Sequence, residues 1–333
     1  MKVLLRRMFD CPPVARWRRF EAALSQALML RGHHILQLDL DPDLPPDPQD
    51  AAVRIYAHKT RREVPHAHLY FKEMHMQGLF TLDTEGWGAD HSAAKQSPDL
   101  SAMDDQLAEA FALSVRQSFL TSGHSKHKQP QLRPLPAEIK PYVFVPLQSP
   151  DDDVIRYHSP MPVLTFLHRI ADWACETGMK VVFKIHPGFY SEEIETAALK
   201  RAAAHPLVFC LDENVHALIQ EAEGVFVLNS GVGFESLIHG KPVVTFGNCD
   251  YRWATFPAEA DHMGAALAYV RTHGDAERKA GYRFIHHYYT RHAYDFGHHA
   301  HSPNLGQTIE RLNTYLDQVF APWTQLDTPL GAD

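Results

Sequence analysis

Apolar and polar positions in the first third of the chain follow two kinds of pattern. Short apolar runs predict strands, whereas longer segments with apolar residues at helical spacing predict helices. The helical pattern of residues 15–32 ends at Gly32, and a second one runs from Ser101, a suitable N-terminal residue, to Phe119. Residues 77–92 are interpreted as a glycine-rich loop after an apolar run. The predicted strands are residues 2–6, 34–41, 53–59 and 68–76.

The second part of the chain alternates strand and helix patterns regularly. Before it, residues 121–141 contain four prolines and few apolar residues, so we place the domain boundary there. Ser159 and Pro160 suit the start of a helix that Gly178 ends, and Ser191 suits the start of another. Such alternation predicts a parallel sheet with helices on both faces. The predicted strands are 141–148, 179–185, 207–212, 224–229 and 241–247, and the predicted helices are 161–177, 191–204, 214–223, 233–240 and 305–320.

The length of the chain suits two domains. At about 100 to 200 residues per domain, 333 residues accommodate two lobes. The aromatic segment 282–296 fits neither a strand nor a helix pattern clearly. The expected divisions are an N-terminal lobe at 1–127, a linker at 128–141, a C-terminal lobe at 142–303, a closing helix at 304–320 and a loose tail at 321–333.

Composition and charge exclude several classes of protein. Hydrophobic residues make up 45% of the chain and charged residues 22%, which is typical of a globular protein. The net charge of −8 argues against nucleic acid as a partner, because proteins that track phosphates carry a basic excess. The four cysteines show no CxxC spacing, which argues against a disulfide framework and a zinc ribbon and fits a reducing compartment. No segment approaches about 18 uninterrupted apolar residues, so we expect a cytoplasmic protein, with association at a membrane surface left open.

Histidines are concentrated towards the C-terminus, but we expect no metal site among them. They lack nearby carboxylates or cysteines at the spacing of metal ligands, so packing and surface positions are favoured. These residues are His286, His287, His292, His298, His299 and His301.

The strand predicted at 179–185 ends in a cation and an imidazole. Lys184 and His186 occupy alternate positions, so their side chains leave the same face of the strand end, and Pro187 stops the strand. A buried lysine is costly without a partner. We interpret the pair as a phosphate clamp, in which Lys184 supplies a fixed charge and a protonated His186 neutralises a departing phosphate. The alternative is a strand-terminal histidine that is hydrogen-bonded to the backbone.

A second polar cluster begins the helix that follows the strand at 224–229. Its first residues are Asn229, Ser230, Gly231 and Gly233. Exposed amides at such a helix start suit a phosphate, and Glu235, one turn further, suits a ribose hydroxyl. Lys241 is expected at the same rim. The spacing is neither GxGxxG nor GxxxxGK[ST], and a simple tight turn is the alternative.

Carboxylates follow two other apolar runs. Gln148 and the consecutive aspartates Asp151–Asp153 come directly after the strand predicted at 141–148. They form either a solvated acidic loop or a cleft in which one carboxylate serves as nucleophile or base. In the segment LDTEGWG, Asp83 and Glu85 lie between apolar residues. A turn is the default interpretation, and the alternative is an acid with a raised pKa that faces the second lobe.

Three motifs occur in an order that is found in a known family. They are P-L-Q-x-x-x-D from Pro146 to Asp152, K-x-H-P from Lys184 to Pro187, and N-S-G-x-G-x-E with a following G-K-P-V from Asn229 to Val243. With these motifs the chain resembles the bacterial capsule-polysaccharide biosynthesis family that includes the β-Kdo glycosyltransferases. The resemblance covers residues 141–251, and in the N-terminal lobe only LDTEGWG is comparable.

The resemblance implies an α/β, GT-B-like fold in which two Rossmann-type lobes with mainly parallel sheets face a central cleft. It also implies transfer of Kdo from CMP-Kdo, with retention of configuration, to a glycan or glycolipid acceptor on the N-terminal side, without a metal or another cofactor. Asp152, with Asp151 and Asp153 as alternatives, is the implied catalytic carboxylate, Glu85 the acid/base and His186 a further catalytic residue. The expected donor-binding residues are Gln148, Lys184, Asn229, Ser230, Gly231, Gly233, Glu235 and Lys241. We expect such a protein in the cytoplasm, and the resemblance leaves open a peripheral association with the inner membrane or with a polysaccharide-assembly complex.

Two other functions fit the same pattern. One is a GT-B transferase or epimerase that uses a UDP-sugar. The other is a catalytically silent module that binds a nucleotide or a glycan. The binding preference within a panel of nucleotides distinguishes a UDP-sugar enzyme from a CMP-Kdo transferase. The transfer activity of the wild type and of Asp152→Ala distinguishes a silent module from a transferase.

Overall fold

The chain folds into two six-stranded sheets with helices on their faces. The computed structural model describes residues 1–8, 15–40, 47–123, 125–259, 263–297 and 305–324. The strands are β1 (Lys2–Met8), β2 (His34–Leu40), β3 (Val53–Ala57), β4 (Leu69–Glu73), β5 (Leu79–Asp83), β6 (Tyr142–Pro146), β7 (Lys180–Lys184), β8 (Val208–Cys210), β9 (Gly224–Val227), β10 (Val243–Thr245), β11 (Phe256–Pro257) and β12 (Ala293–Asp295). The helices are α1 (Ala15–Leu30), α2 (Ser92–Lys95), α3 (Asp105–Ser122), α4 (Asp153–His158), α5 (Val163–Thr177), α6 (Glu192–Ala204), α7 (Val215–Glu221), α8 (Gly231–Ile238), α9 (Met263–Thr272), α10 (Asp275–Arg291) and α11 (Leu305–Thr324).

The second sheet is parallel throughout, as the sequence predicts. Its strand order is β11-β10-β9-β6-β7-β8, and every described pairing in it is parallel. Val143, Phe144 and Val145 of β6 are each fully buried. Successive side chains of a strand point to opposite faces, so a continuous apolar run suits a strand that is covered on both sides. The carboxyl ends of β6, β7 and β9 therefore lie together at one edge of the sheet.

The first sheet is mixed. Its order is β12-β5-β4-β3-β1-β2, in which β1 to β4 run parallel and β5 runs antiparallel to both of its neighbours. The predicted loop at 77–92 was wrong in its first part, because residues 79–83 form β5 and all five of them are buried. Short strands with flanking glycines are easily interpreted as loops from sequence alone.

The chain crosses between the two lobes at points that differ from the predicted divisions. Helix α3, predicted within the lobe at 1–127, packs on α10 and α8, and Arg283 of α10 bonds Asp105 of α3. Strand β12, predicted within the lobe at 142–303, pairs with β5 of the first sheet, and α11 packs on α1. Burial of apolar side chains holds β12 and α11 on the first lobe. The buried residues, which join the core of the first sheet, are Tyr294, Phe296, Leu312 and Leu316.

Several helix ends also differ from the predictions. The segment 153–158, interpreted as loop, is α4, and α5 begins at Val163 with Pro162 as its N-cap instead of Ser159. Helix α3 is capped by Asp104, whose carboxylate accepts from two backbone N–H groups, rather than by Ser101. The cap of α6 by Ser191 is confirmed. The ambiguous segment 282–296 contains the end of α10 and all of β12.

The tip of the β4–β5 hairpin, residues 74–78, is inserted between the lobes. Met76 is buried in the core of the second lobe, and the Nε2 atom of His75 lies 3.1 Å from Oδ2 of Asp250. Gly78 closes the hairpin with a φ of +76°, and a Cβ atom there would lie 2.3 Å from the backbone nitrogen of Gly297. The tip therefore requires a residue without a side chain at 78.

No helix among the described residues is long and apolar enough to cross a bilayer.

Replacing Gly78 tests the close contact between the hairpin tip and the strand that returns from the second lobe. Gly32 is a matched control, since its φ is also +76° but a Cβ atom there would meet nothing within 4 Å. We expect Gly32→Ala to lose about 1 kcal/mol of unfolding free energy for the left-handed backbone. Gly78→Ala should lose at least about 2 kcal/mol more, because its Cβ atom overlaps backbone. Urea unfolding measures both, and equal losses would contradict the contact.

Candidate active site

A cavity of about 570 Å³ lies between the lobes, at the carboxyl ends of β6, β7 and β9. The second lobe contributes residues that directly follow these strands, and the first lobe contributes the end of β4 and the segment 87–89. The segment 125–129, which also lines the cavity, follows α3 and packs on the second lobe. Ligands of open parallel sheets bind in such a crevice, because loops from neighbouring strands converge there. Most of the residues predicted from the sequence lie in this cleft.

Asp152 is fixed at the start of α4 on the wall of the second lobe. It is the N-cap, and its Oδ1 atom accepts from the backbone nitrogen of Val154 at 3.2 Å. Asp151 and Asp153 also line the cleft, but Asp151 is exposed and Asp153 pairs with Arg156 at 3.6 Å. Of the three carboxylates, Asp152 is thus the one that combines partial burial with a fixed backbone partner.

Gln148 and Asn229 hold the end of β6 to the end of β9. The Nε2 atom of Gln148 donates to Oδ1 of Asn229 at 3.0 Å, and the backbone nitrogen of Asn229 donates to Oε1 of Gln148 at 3.3 Å. The Nδ2 atom of Asn229 donates to the carbonyl of Val154 at 2.8 Å, inside α4. Both predicted residues lie in the cleft, where they position the helix that carries Asp152.

Lys184 and His186 lie on the same wall. The ammonium of Lys184, whose side chain is 3% exposed, bonds Oδ1 of Asp212 at 2.7 Å. The Nδ1 atom of His186 accepts from the backbone nitrogens of Gly188 and Phe189, both at 3.1 Å. The proton then resides on Nε2, which has no hydrogen-bond partner among the described residues and is free to donate to a ligand.

The surroundings of His186 disfavour the protonated state that the phosphate-clamp interpretation expects. Burial lowers the pKa of His186, with Lys126 and Lys184 acting in the same direction, and Asp152 opposes the shift. A neutral imidazole still donates a hydrogen bond through Nε2. The alternative of a histidine bonded to the backbone therefore applies to Nδ1 of His186. The phosphate-binding interpretation applies to Nε2 of the same ring.

The start of α8 is only partly directed at the cleft. Ser230 is the N-cap and lines the cleft with Gly231, where a Cβ atom would lie 3.3 Å from Cα of His75 in the first lobe. Gly233 does not line it, because a Cβ atom there would lie 2.5 Å from the hydroxyl of Tyr251. Gly231 therefore keeps the lobes close, whereas Gly233, predicted as a ligand contact, is a packing residue.

Lys241 and Glu85 lie away from the cleft, in contrast to their predicted roles. Lys241 donates to the carbonyl of Ala222 at 2.8 Å and supports the turn before β10. The carboxylate of Glu85 bonds Arg61 at 2.6 Å and Lys95 at 2.8 Å on the surface of the first lobe. Neither lines the cavity.

Glu235 is buried at the floor of the cleft. Its Oε1 atom accepts from the hydroxyl of Ser125 at 2.6 Å, and Oε2 has no partner among the described residues. Burial raises the pKa of Glu235 to about 7, against the lowering effect of the Ser125 hydroxyl and of the backbone and charge of Lys126. The Glu235 side chain belongs to the cavity lining, and its second carboxylate oxygen is buried without a hydrogen-bond partner among the described residues.

The cleft is also lined by cationic and aromatic groups that sequence reasoning missed. They are Arg16, Lys72, Trp87, Lys126 and His127. Lys72 carried a usable signal, since it is a charged residue directly after the apolar run 69–71 of a predicted strand. Lys126 and His127 lie beside the proline-rich boundary, where no periodicity indicates which side chains turn inward.

The described residues contain no group of three His, Cys, Asp or Glu side chains placed to hold a metal ion. Of the C-terminal histidines, His298, His299 and His301 lie outside the described residues.

The sequence model of the family described as capsule polysaccharide biosynthesis protein matches residues 97–294. Protein FixF of Sinorhizobium fredii is 29% identical over 163 residues, which make up 46% of this chain and 39% of FixF. The chain thus spans well under half the length of that relative.

Two solved structures from Thermosulfurimonas dismutans share the fold at 14% identity. The β-Kdo 2,7 transferase of KpsC has a TM-score of 0.50, covering 95% of this chain and 100% of its own. The β-Kdo 2,4 transferase of KpsC has a TM-score of 0.51, covering 93% and 97%. The expected GT-B-like fold of two Rossmann-type lobes is confirmed.

The protonation of Glu235 makes a sharp prediction for stability against pH. Its folded pKa of about 7 lies above the ordinary value of 4.5, so the folded state binds more protons between these values and unfolding becomes easier as pH rises. Glu235→Gln removes that loss, and we expect the variant to gain up to roughly 3 kcal/mol on the wild type between pH 5 and pH 8. Urea unfolding at both values measures the difference. A variant-to-wild-type difference that is independent of pH would contradict the assignment.

Proposed function

The chain belongs to the capsule polysaccharide biosynthesis family, and on that basis we propose that it is a retaining glycosyltransferase that moves Kdo from CMP-Kdo to a glycan acceptor. The observation that supports this proposal most is the placement of Asp152 in one cleft with Lys184 and His186. A carboxylate and a phosphate-binding pair on the same wall are the groups that a double displacement at a sugar phosphate requires.

In the proposed complex the nucleotide occupies the second lobe. Its phosphate meets the ammonium of Lys184, the Nε2–H group of His186 and the amino-terminal end of α8, for which Ser230 is the N-cap. The ribose hydroxyls meet the unpaired oxygen of Glu235. These groups stabilise the departing CMP, so the proposal invokes no metal.

The sugar then lies over Asp152. The carboxylate attacks the anomeric carbon as the bond to the phosphate oxygen breaks and CMP leaves. In a second step the oxygen of an acceptor hydroxyl displaces the carboxylate, and its proton passes to water. Two inversions give net retention. The acceptor enters from the first lobe, and a glycolipid acceptor would place the protein at the cytoplasmic face of the inner membrane or in a polysaccharide-assembly complex.

A panel of nucleotides tests the donor assignment. We expect CMP to raise the melting temperature more than UMP, GDP or NAD does, because a ligand that binds only the folded state adds about 2.7 kcal/mol at a hundred times its dissociation constant. Lys184→Met should abolish most of the shift, and Lys200→Met, at an exposed lysine of α6, should keep it. A preference for UMP would indicate a UDP-sugar enzyme. A CMP shift without transfer to any acceptor would indicate a silent nucleotide-binding module.

A further inference from the structure

Two lysines line the cleft near Asp152, one on β4 of the first lobe and one directly after α3. Lys72 lies on β4, and its ammonium is 3.2 Å from the centre of the Trp87 ring. Lys126 follows α3, and its ammonium donates to the carbonyl of Glu73 at 2.9 Å. Within the described part of the chain, neither ammonium has a carboxylate partner within salt-bridge distance. Lys184, in the same cleft, is paired with Asp212.

The environment of this lysine pair is unfavourable for two positive charges in an empty cleft. Burial lowers the pKa of Lys72 to about 7, and it also lowers the pKa of Lys126. Asp152 opposes both shifts, which places its negative charge near both ammonium groups. The pKa of Lys72 is affected by the charges of Lys126, Asp152, Asp153 and Glu63. Lys72 in turn lowers the pKa of His58. An anionic ligand would complete this arrangement.

The position of the pair indicates which part of a substrate it meets. Lys72 belongs to the first lobe, whereas Lys184 and His186, which are proposed to hold the donor phosphate, belong to the second lobe. Lys126 follows α3, which packs on the second lobe, and its ammonium reaches the end of β4. The charge of Asp152 acts on the pKa of both lysines, so both ammonium groups lie near this carboxylate. In the proposed function, the transferred sugar and the acceptor meet there. Charge-assisted hydrogen bonds from ammonium groups are a strong way to hold a carboxylate.

We propose that Lys72 and Lys126 bind the carboxylate of an acidic sugar, which either the donor or the acceptor carries. The face of the Trp87 ring keeps the Lys72 ammonium directed into the cleft through a cation–π contact. The choice between the two sources rests on the proposed function, but binding of an acidic sugar to this pair does not.

Free sugars test the site without reference to any nucleotide. In ligand-observed NMR, we expect Kdo and glucuronate to bind the wild-type protein and glucose to bind at least about tenfold more weakly. Lys72→Met and Lys126→Met should each weaken the acidic sugars by about tenfold, while Lys200→Met leaves them unchanged. Equal binding of glucose and glucuronate, or variants that bind as the wild type does, would overturn the proposal.

Calorimetry at pH 7 gives a readout that a purely structural lysine would not move. Glucuronate binding should take up a fraction of a proton, seen as a difference in heat between phosphate and Tris buffers, because the ligand favours charged Lys72. The uptake should be smaller in Lys72→Met than in Lys200→Met. Equal uptake in the two variants would contradict a role for Lys72 in binding the carboxylate.

Titrations with CMP and CMP-Kdo separate the two sources. If the donor carries the carboxylate, Lys72→Met and Lys126→Met weaken CMP-Kdo by about tenfold and leave CMP unchanged. If the acceptor carries it, both nucleotides bind the variants normally while glucuronate does not. Equal weakening of CMP and CMP-Kdo would assign the lysines to the phosphate and overturn the proposal. An absence of any CMP preference in the wild type would count against the proposed function alone, since the sugar experiments stand without it.

Discussion

The buried contact between the β4–β5 hairpin tip and the second lobe sets the geometry on which the cleft depends. Burial alone would raise the pKa of Asp250, but the interaction with His75 and a hydrogen bond from Tyr288 outweigh it and hold the pKa at about 2. A charged, buried carboxylate of this kind is costly to separate from its partners. The ring of His75 also stacks on Phe234 at 4.4 Å, so the contact fixes the end of β4, and with it Lys72, opposite α4.

On the other side of the cleft, parallel strand ends and paired amides determine where the chemistry can occur. The Gln148–Asn229 pair ties two strands to α4 and so orients Asp152. These residues resemble ligand contacts in the sequence because they directly follow strands. In the structure they act mainly through what they hold in place, which is why a polar motif at a strand end does not by itself distinguish binding from positioning.

The sequence predicted the second lobe better than the first, for physical reasons. Buried parallel strands such as β6 are continuous apolar runs between loops. Their order along the chain, and the functional side chains that follow their carboxyl ends, could therefore be inferred from the local pattern. The return of β12 and α11 to the first sheet is a long-range pairing that no local pattern encodes. Glu85 was misplaced because its neighbours are apolar, whereas its actual partners, Arg61 and Lys95, are contacts that only the tertiary structure brings together.

The most direct test of Asp152 as the nucleophile is mass spectrometry of the protein after incubation with CMP-Kdo and no acceptor. A retaining double displacement predicts an added mass of one Kdo residue on the peptide that contains Asp152, located on that side chain by fragmentation and absent from Asp152→Asn. An adduct on Asp151 or Asp153, or a transferred sugar of inverted configuration, would contradict it.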